Sequence, residues 1–326
     1  MKKVKIFKKD KISNILFLGT PDFAVPSLEI LLTSRFRPVL IITQPDRPKG
    51  RGKKLQPTPV KISGAEAGVP IIQPSNINSE EVLEYLRTLK PDLIITVAYG
   101  GFFGKSLRKL ATLGSINLHP SLLPSFRGAS PLQSTMFANL EKSGNTIFKI
   151  VADMDAGHIL SQDSVDIPQG MNLTEYSALM ANQGAKLLLE TLEKIEGDGI
   201  TALAQNHADA THTRKIEKSD LLINWESDVM TTLGKIRGLS YSPGAKTFRK
   251  EKGLKILRAS LYKKRSNSKP GTITEVIKNQ GFVVACSNGE LLITEVQPDG
   301  KKLMSATAYN MGARLQVGEI LGKVSL

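Results

Sequence analysis

Cysteine, tryptophan and histidine are scarce in this 326-residue chain, which has one Cys, one Trp and four His. The lone cysteine, Cys286 in the run FVVACSNG, excludes a disulfide framework and a cysteine-built zinc site, so a reducing cytoplasm is the expected location. The histidines, at 119, 158, 207 and 212, fall in no zinc spacing such as H-E-x-x-H, and no metal is expected. No stretch approaches the roughly 20 apolar residues of a membrane span, so no membrane partner is expected. The start, MKKVKIFKKDKISNILFLG, has the basic-then-apolar order of a secretory signal, but ILFLG is too short and TPDF follows it instead of a small-residue cleavage site.

Three common catalytic devices are also missing. The first strand ends in FLGTPDFA, without a G-x-G-x-x-G dinucleotide fingerprint, and no G-x-x-x-x-G-K-[ST] loop follows, which argues against an NAD enzyme or an NTPase. The chain has no G-x-S-x-G elbow, and Cys286 lies far in sequence from His119, which disfavours a covalent nucleophile. Acid, base and hydrogen-bond chemistry remains.

What is present is length, apolar content and an uneven positive charge. At 40% hydrophobic the chain can bury a sizeable core, and its length suits two domains. The net charge is +14, with 6 Lys against 1 Asp in residues 1–14, near balance in 15–215, and 18 basic against 10 acidic side chains in 216–326. A basic last third suits a polyanionic partner, because Lys and Arg release counterions from phosphates, although a soluble basic surface has the same composition.

From Ile15 to about Gly197, short apolar runs alternate with helical periodicity, as in βαβ units on a parallel sheet. NILFLG, PVLIITQ, PIIQP, PDLIITVAYG, GSINLHP and TIFKIVADMD are the expected strands, and Asn172 to Glu196 forms a long closing helix. After it, 197–215 is small, polar and aperiodic, and is expected as a linker. Beyond lie GAKTFRK, GLKILRASLYKK, GTITEVIKN, GFVVACSNG and ELLITEVQP, regularly spaced strands of a small barrel or sandwich. The expected division is a basic extension 1–14, a catalytic domain 15–196, the linker, and a C-terminal domain 216–326.

The segment INLHPSLLPSFRGASP reads as a strand stopped by Pro120 and continued by a shaped loop. Asn117 and His119 are two apart, so they project from one face at the strand end where open α/β sheets bind ligands. Asp155 closes the next expected strand, and if the two strands are parallel neighbours all three groups meet over one edge. Each alone also fits ordinary turn chemistry. Together an amide donor, an imidazole and a carboxylate form an acyl-transfer site that lacks a nucleophilic side chain, so the attacking group belongs to a substrate.

With FLGTPDFA, TQPDRPKGRGKKLQPTPVK, VAYG and MDAG in order around it, this segment resembles the methionyl-tRNA formyltransferase family and, more broadly, the folate-dependent formyltransferases. The resemblance implies a Rossmann-like domain followed by an OB-like barrel. It implies formyl transfer from 10-formyltetrahydrofolate to the α-amine of initiator methionyl-tRNA, with Asn117, His119 and Asp155 as the catalytic set. It also implies folate binding along Ser121, Leu122, Leu123 and Pro124. In that scheme Asn117 and a protonated His119 stabilise the developing oxyanion, while Asp155 orients the imidazole and helps relay a proton.

The insert TQPDRPKGRGKKL crowds Arg47, Lys49, Arg51, Lys53 and Lys54 into eight residues, a loop suited to tRNA phosphates or simply to solvent. A monomer is expected. Where the family has an N-P-W-P-G-A stretch, Ser240, Tyr241 and Ser242 precede PGA here, which touches local C-domain packing and not the chemistry. An amino-sugar or purine-pathway formyltransferase leaves the basic insert unexplained. An RNA-binding protein without catalysis leaves the polar triad unexplained, and a hydrolase would release formate from the folate.

Overall fold

The computed structural model describes residues 3–7, 11–49 and 54–322. The chain falls into two compact units, one of Met1–Pro131, Ser143–Val165 and Ser177–His212, the other of Leu132–Lys142, Asp166–Tyr176 and Thr213–Leu326.

The first unit is built on nine strands: β1 Lys3–Phe7, β2 Ile15–Gly19, β3 Leu40–Ile42, β4 Ile71–Ile72, β5 Leu93–Val97, β6 Ser115–His119, β7 Thr146–Lys149, β8 Ile159–Gln162 and β9 Ile200–Leu203. Their order is β1-β9-β8-β7-β6-β5-β2-β3-β4. The five strands from β4 to β6 are mutually parallel. Strands β2 and β5 are continuously buried, as expected for a parallel sheet covered on both faces. A core of Leu16, Leu18, Leu40, Ile42, Leu83, Leu86 and Ile94 fills one side. The strand order reverses between β2 and β5, so ligand chemistry is expected outside the carboxyl ends nearby.

Strands β6 and β7 are neighbours, but antiparallel, with Thr146 opposite His119 and Phe148 opposite Asn117. This corrects the expected parallel pairing. The chain re-enters the sheet at the end where it left, as antiparallel neighbours do. Strand β7 also ends at Lys149, so Asp155 does not close it but lies on the turn that follows.

The stretch expected as a linker contains β9, which joins β8 and β1. Its buried Ile200 and Ala202 alternate with exposed Thr201, a pattern too short to stand out from the sequence. In the basic extension, Lys3–Phe7 pairs with β9, and Ile12, Ser13 and Asn14 donate backbone N–H groups to the Glu196 and Asp92 carboxylates.

The second unit is an all-antiparallel β sheet, with strands β10 Ala245–Arg249, β11 Lys252–Lys263, β12 Ile273–Ile277, β13 Gly281–Ala285, β14 Glu290–Pro298 and β15 Met304–Ser305 in the order β10-β11-β14-β13-β12, and β15 on β14. Register shifts along the β11–β14 ladder bend it over a core of Trp225, Ile256, Phe282, Ile293 and Val296. Trp225 buries its ring and donates Nε1–H to Thr247 at 3.0 Å. The helix Val229–Leu239 is capped by Asp228, which accepts from the N–H groups of Met230 and Thr231.

Candidate active site

Strand β6 delivers the first two groups. Ile116 and Leu118 are buried on one face, which leaves Asn117 and His119 on the other. Leu118 is held from behind by the helix Leu173–Gly197, where a Cβ at Gly184 would lie 2.8 and 2.9 Å from the Leu118 methyl groups. A larger residue there would force the Leu118 side chain to move. Among the described residues the Asn117 side chain makes no hydrogen bond, so its amide is available to a substrate.

Asp155 arrives on the turn after β7. Lys149 N–H bonds to His158 O at 3.0 Å, and a Cβ on Gly157 would stand 1.6 Å from Lys149 O, so the turn folds tightly back on its strand. Asp155 itself has φ +51°, a left-handed conformation uncommon outside glycine. Its Oδ2 accepts from Gly128 N–H at 2.7 Å and lies 3.7 Å from His119 Nδ1. Opposite, His119 Nε2 is 3.0 Å from the carbonyl of Phe126, another residue with positive φ. A carbonyl only accepts, so Nε2 carries the proton. The Phe148 ring stands edge-on to the imidazole at 6.3 Å.

His119 is 4% exposed. Burial lowers the imidazole pKa below its ordinary value, opposed by the Asp155 carboxylate and the Phe126 carbonyl. The resting ring is therefore favoured neutral, in contrast with the protonated form expected from the sequence. Solvent exclusion acts on the charged form, and strand-end residues give no sign of that depth.

The loop after His119 is tied to β7 and β8 by Thr146. Its hydroxyl donates to Ser121 O at 2.6 Å and accepts from Leu123 N–H at 3.1 Å and from Gln162 at 2.9 Å. The Ser121 hydroxyl donates to Ser125 O, and Leu123 packs with Phe148 and Ile159. Of the four residues expected along folate, Ser121 and Leu123 therefore turn inward, while Leu122 and Pro124 are half-buried. Beside them β5 ends at Val97, opposite Leu118, and the chain turns through Ala98 and Gly100, both with positive φ. Thr20, after β2, bonds to Tyr99 O at 2.9 Å.

The basic insert leaves β3 as a hairpin, with Arg47–Lys49 paired to Lys54–Gln56. Gln73 and Lys61 bind Asp46 at its base and hold that carboxyl below its ordinary pKa. Arg47 and Lys54 are exposed, and the Lys49 backbone pairs with Lys54. Arg51 and Lys53 lie outside the described residues.

Sequence reasoning missed Gln205, which sits in the stretch read as a linker and is buried. Its amide N–H groups donate to Asp155 O and Gly157 O, and its Oε1 accepts from Arg127 Nε and Nη2. The only sequence signal was the brief alternation of ITALAQ. Among the described residues no three His, Cys, Asp or Glu side chains are grouped to hold a metal ion, and no helix is long and apolar enough to cross a membrane.

The formyl transferase family profile matches residues 13–192, and the profile of the formyl transferase C-terminal domain matches 215–314. A methionyl-tRNA formyltransferase of Moorella thermoacetica is 42% identical over 310 residues, covering 95% of this chain and 99% of the relative. One of Bacillus subtilis is 37% identical over 312 residues, covering 95% and 98%. Among solved structures, HypX from Aquifex aeolicus in complex with tetrahydrofolic acid has a TM-score of 0.65 at 17% identity, over 95% of this chain and 49% of that one. The N-formyltransferase from Helicobacter canadensis with folinic acid and dTDP-3-aminofucose has a TM-score of 0.64 at 18% identity, over 88% and 100%. These two likenesses are of fold. Matched in order by both domain profiles and along nearly its whole length by such relatives, the chain belongs to the methionyl-tRNA formyltransferase family.

Proposed function

We propose that the chain transfers a formyl group from 10-formyltetrahydrofolate to the α-amine of initiator methionyl-tRNA by direct amine attack, with no covalent enzyme intermediate. The observation that carries this reading is the meeting of Asn117 and His119 on one face of β6 with the Asp155 carboxylate 3.7 Å from the imidazole. Residues 15–196 are proposed as the catalytic domain and 216–326 as a tRNA-binding domain, in a cytoplasmic monomer.

The folate supplies the activated formyl carbon, and the half-buried Leu122 and Pro124 lie along it. Asn117 donates an N–H to the formyl oxygen as it gains negative charge. Burial lowers the His119 pKa and so favours the neutral ring, which accepts the proton released as the amine nitrogen bonds to the formyl carbon. Asp155 stabilises the imidazolium that results. The same proton then goes to the folate nitrogen as its bond to the formyl carbon breaks. An α-amine has a pKa of about 8 and an esterified one is less basic, so enough is neutral without a strong base. The basic hairpin provides charge for phosphates through Arg47, Lys49, Arg51, Lys53 and Lys54.

The test is an assay with 10-formyltetrahydrofolate supplied with charged initiator tRNA or with buffer alone. Formyl-methionine in the first reaction is the expected product. Formate without formyl-methionine would replace this reading with a hydrolase, and neither product would replace it with a binding protein.

A further inference from the structure

Residue 155 is held at both ends. Its carboxylate accepts from Gly128 N–H, and its backbone carbonyl accepts from Gln205 Nε2, both at 2.7 Å. The second N–H of the same amide goes to Gly157 O, also at 2.7 Å, so one side chain spans the two carbonyls of the turn. Gln205 Oε1 accepts from Arg127 Nε at 3.1 Å and Nη2 at 2.6 Å, and Arg127 directly precedes Gly128. A closed ring results, running from the Asp155 carboxylate through Gly128, Arg127 and Gln205 back to the Asp155 carbonyl. Strand β9 ends two residues before Gln205, with Leu203 paired to Ile159 and packed on Leu123 and Phe148. Gln205 is 6% exposed, and both N–H groups of its amide and the amide oxygen are used.

We infer that Gln205 is a positioning residue: its amide fixes the left-handed backbone at Asp155, and so keeps the carboxylate against His119. This rests on the reading of His119 and Asp155 as the acid–base pair. Gln205 belongs to residues 193–214, which neither family profile covers. An amide is required because the turn presents two acceptors and Arg127 presents donors. A carboxylate cannot donate to the carbonyls, and a thioether can neither donate nor accept well.

The experiment compares Gln205→Met and Gln205→Glu, both close in size to the original, in the full chain. Asp155 faces the imidazole from its turn, the Phe126 carbonyl from the loop and Phe148 from β7, while Arg127 and His207 stand behind Gln205. NMR titration of ring-labelled histidines, with His119 assigned through His119→Gln, therefore reports on this geometry without needing turnover. Gln205→Met is expected to lower kcat about 10²-fold, with KM for both substrates within about threefold, the scale of a roughly 1 Å misplacement. Gln205→Glu is expected to raise the His119 midpoint, because it adds a negative charge near the pair, and to leave kcat low.

A folded Gln205→Met protein with kcat within about threefold of the parent, or an unmoved His119 midpoint in folded Gln205→Glu, would overturn the inference. So would a fall in Tm with normal kcat in the folded fraction, which marks a structural role alone. Should the parent titrate as described yet form no formyl-methionine, the functional reading fails while the NMR comparison still decides whether Gln205 holds the pair.

Discussion

The polar cluster at the end of β6 and the basic hairpin after β3 use side chains in opposite ways. In the first, His119, Asp155, Gln205 and Arg127 are buried or half-buried, and each is aimed by a specific partner. In the second, Arg47 and Lys54 are exposed and enter no ion pair among the described residues. Proton transfer and oxyanion stabilisation need fixed directions within a few tenths of an ångström. Attraction to a phosphate backbone needs charge density and tolerates motion. The two regions should therefore respond differently to substitution, salt and pH.

The largest effects are expected at the cluster. His119→Asn should lower kcat/KM by about 10²- to 10⁴-fold, and Asn117→Ala by about 10²- to 10³-fold, in steady-state formylation assays. An Asn117→Ala enzyme within tenfold of the parent would remove the oxyanion role.

The pH profile sharpens the contrast further. Burial lowers the His119 pKa, so kcat/KM should rise with pH through a midpoint below the ordinary value of about 6.5. In Asp155→Asn, which lacks the carboxylate that raises this pKa, the midpoint should move still lower as the rate falls. A rising limb above 6.5 that shifts in Asp155→Asn would mean that the resting imidazole is protonated, whereas one that does not shift reports the substrate amine. Stability follows the same sign. The folded protein binds fewer protons at His119 than the unfolded chain, so stability should decline as pH drops from about 6.5 toward the folded-state midpoint. Denaturant titrations of the parent and His119→Gln would show that part of the dependence disappearing.

At the hairpin the expected losses are smaller and salt-dependent. Arg47→Ala combined with Lys54→Ala should raise KM for tRNA while kcat at saturation stays near the parent value. The salt slope of binding should flatten by about 1.5, at roughly 0.7 to 0.9 for each phosphate no longer neutralised. An unchanged slope would mean that these side chains face solvent and not RNA.

A substitution outside both regions sets the floor. Asp228→Ala removes the cap of the helix Val229–Leu239 and should cost about 1 kcal/mol in denaturant unfolding. The kcat of the folded protein should not change.

Much of the architecture was legible in the chain. Runs such as ILFLG and LIITV carry no charge and are buried at every position because both faces of a parallel strand are covered, and the C-terminal strands are punctuated by Gly, Asn and Pro. Asn117 and His119 were legible as a same-face pair because strand periodicity is local. The direction of β7 was not, since it depends on the path by which the chain returns to the sheet after β6, and local pattern does not record that. Gln205 was hidden in a polar segment, because a glutamine is recognisable as a clamp only beside the carbonyls it spans.

By itself the sequence determined most strands of the parallel sheet, and that β6 carries an amide and an imidazole toward its carboxyl end. These are matters of residue type and near spacing, set by sterics and side-chain chemistry over a few residues. Only the tertiary structure decided that the Asp155 carboxylate turns onto His119, that the imidazole is buried deeply enough for its pKa to fall, and that Gln205 ties the turn in place. Each of those depends on groups distant in the chain excluding water together, and short-range pattern carries no record of it.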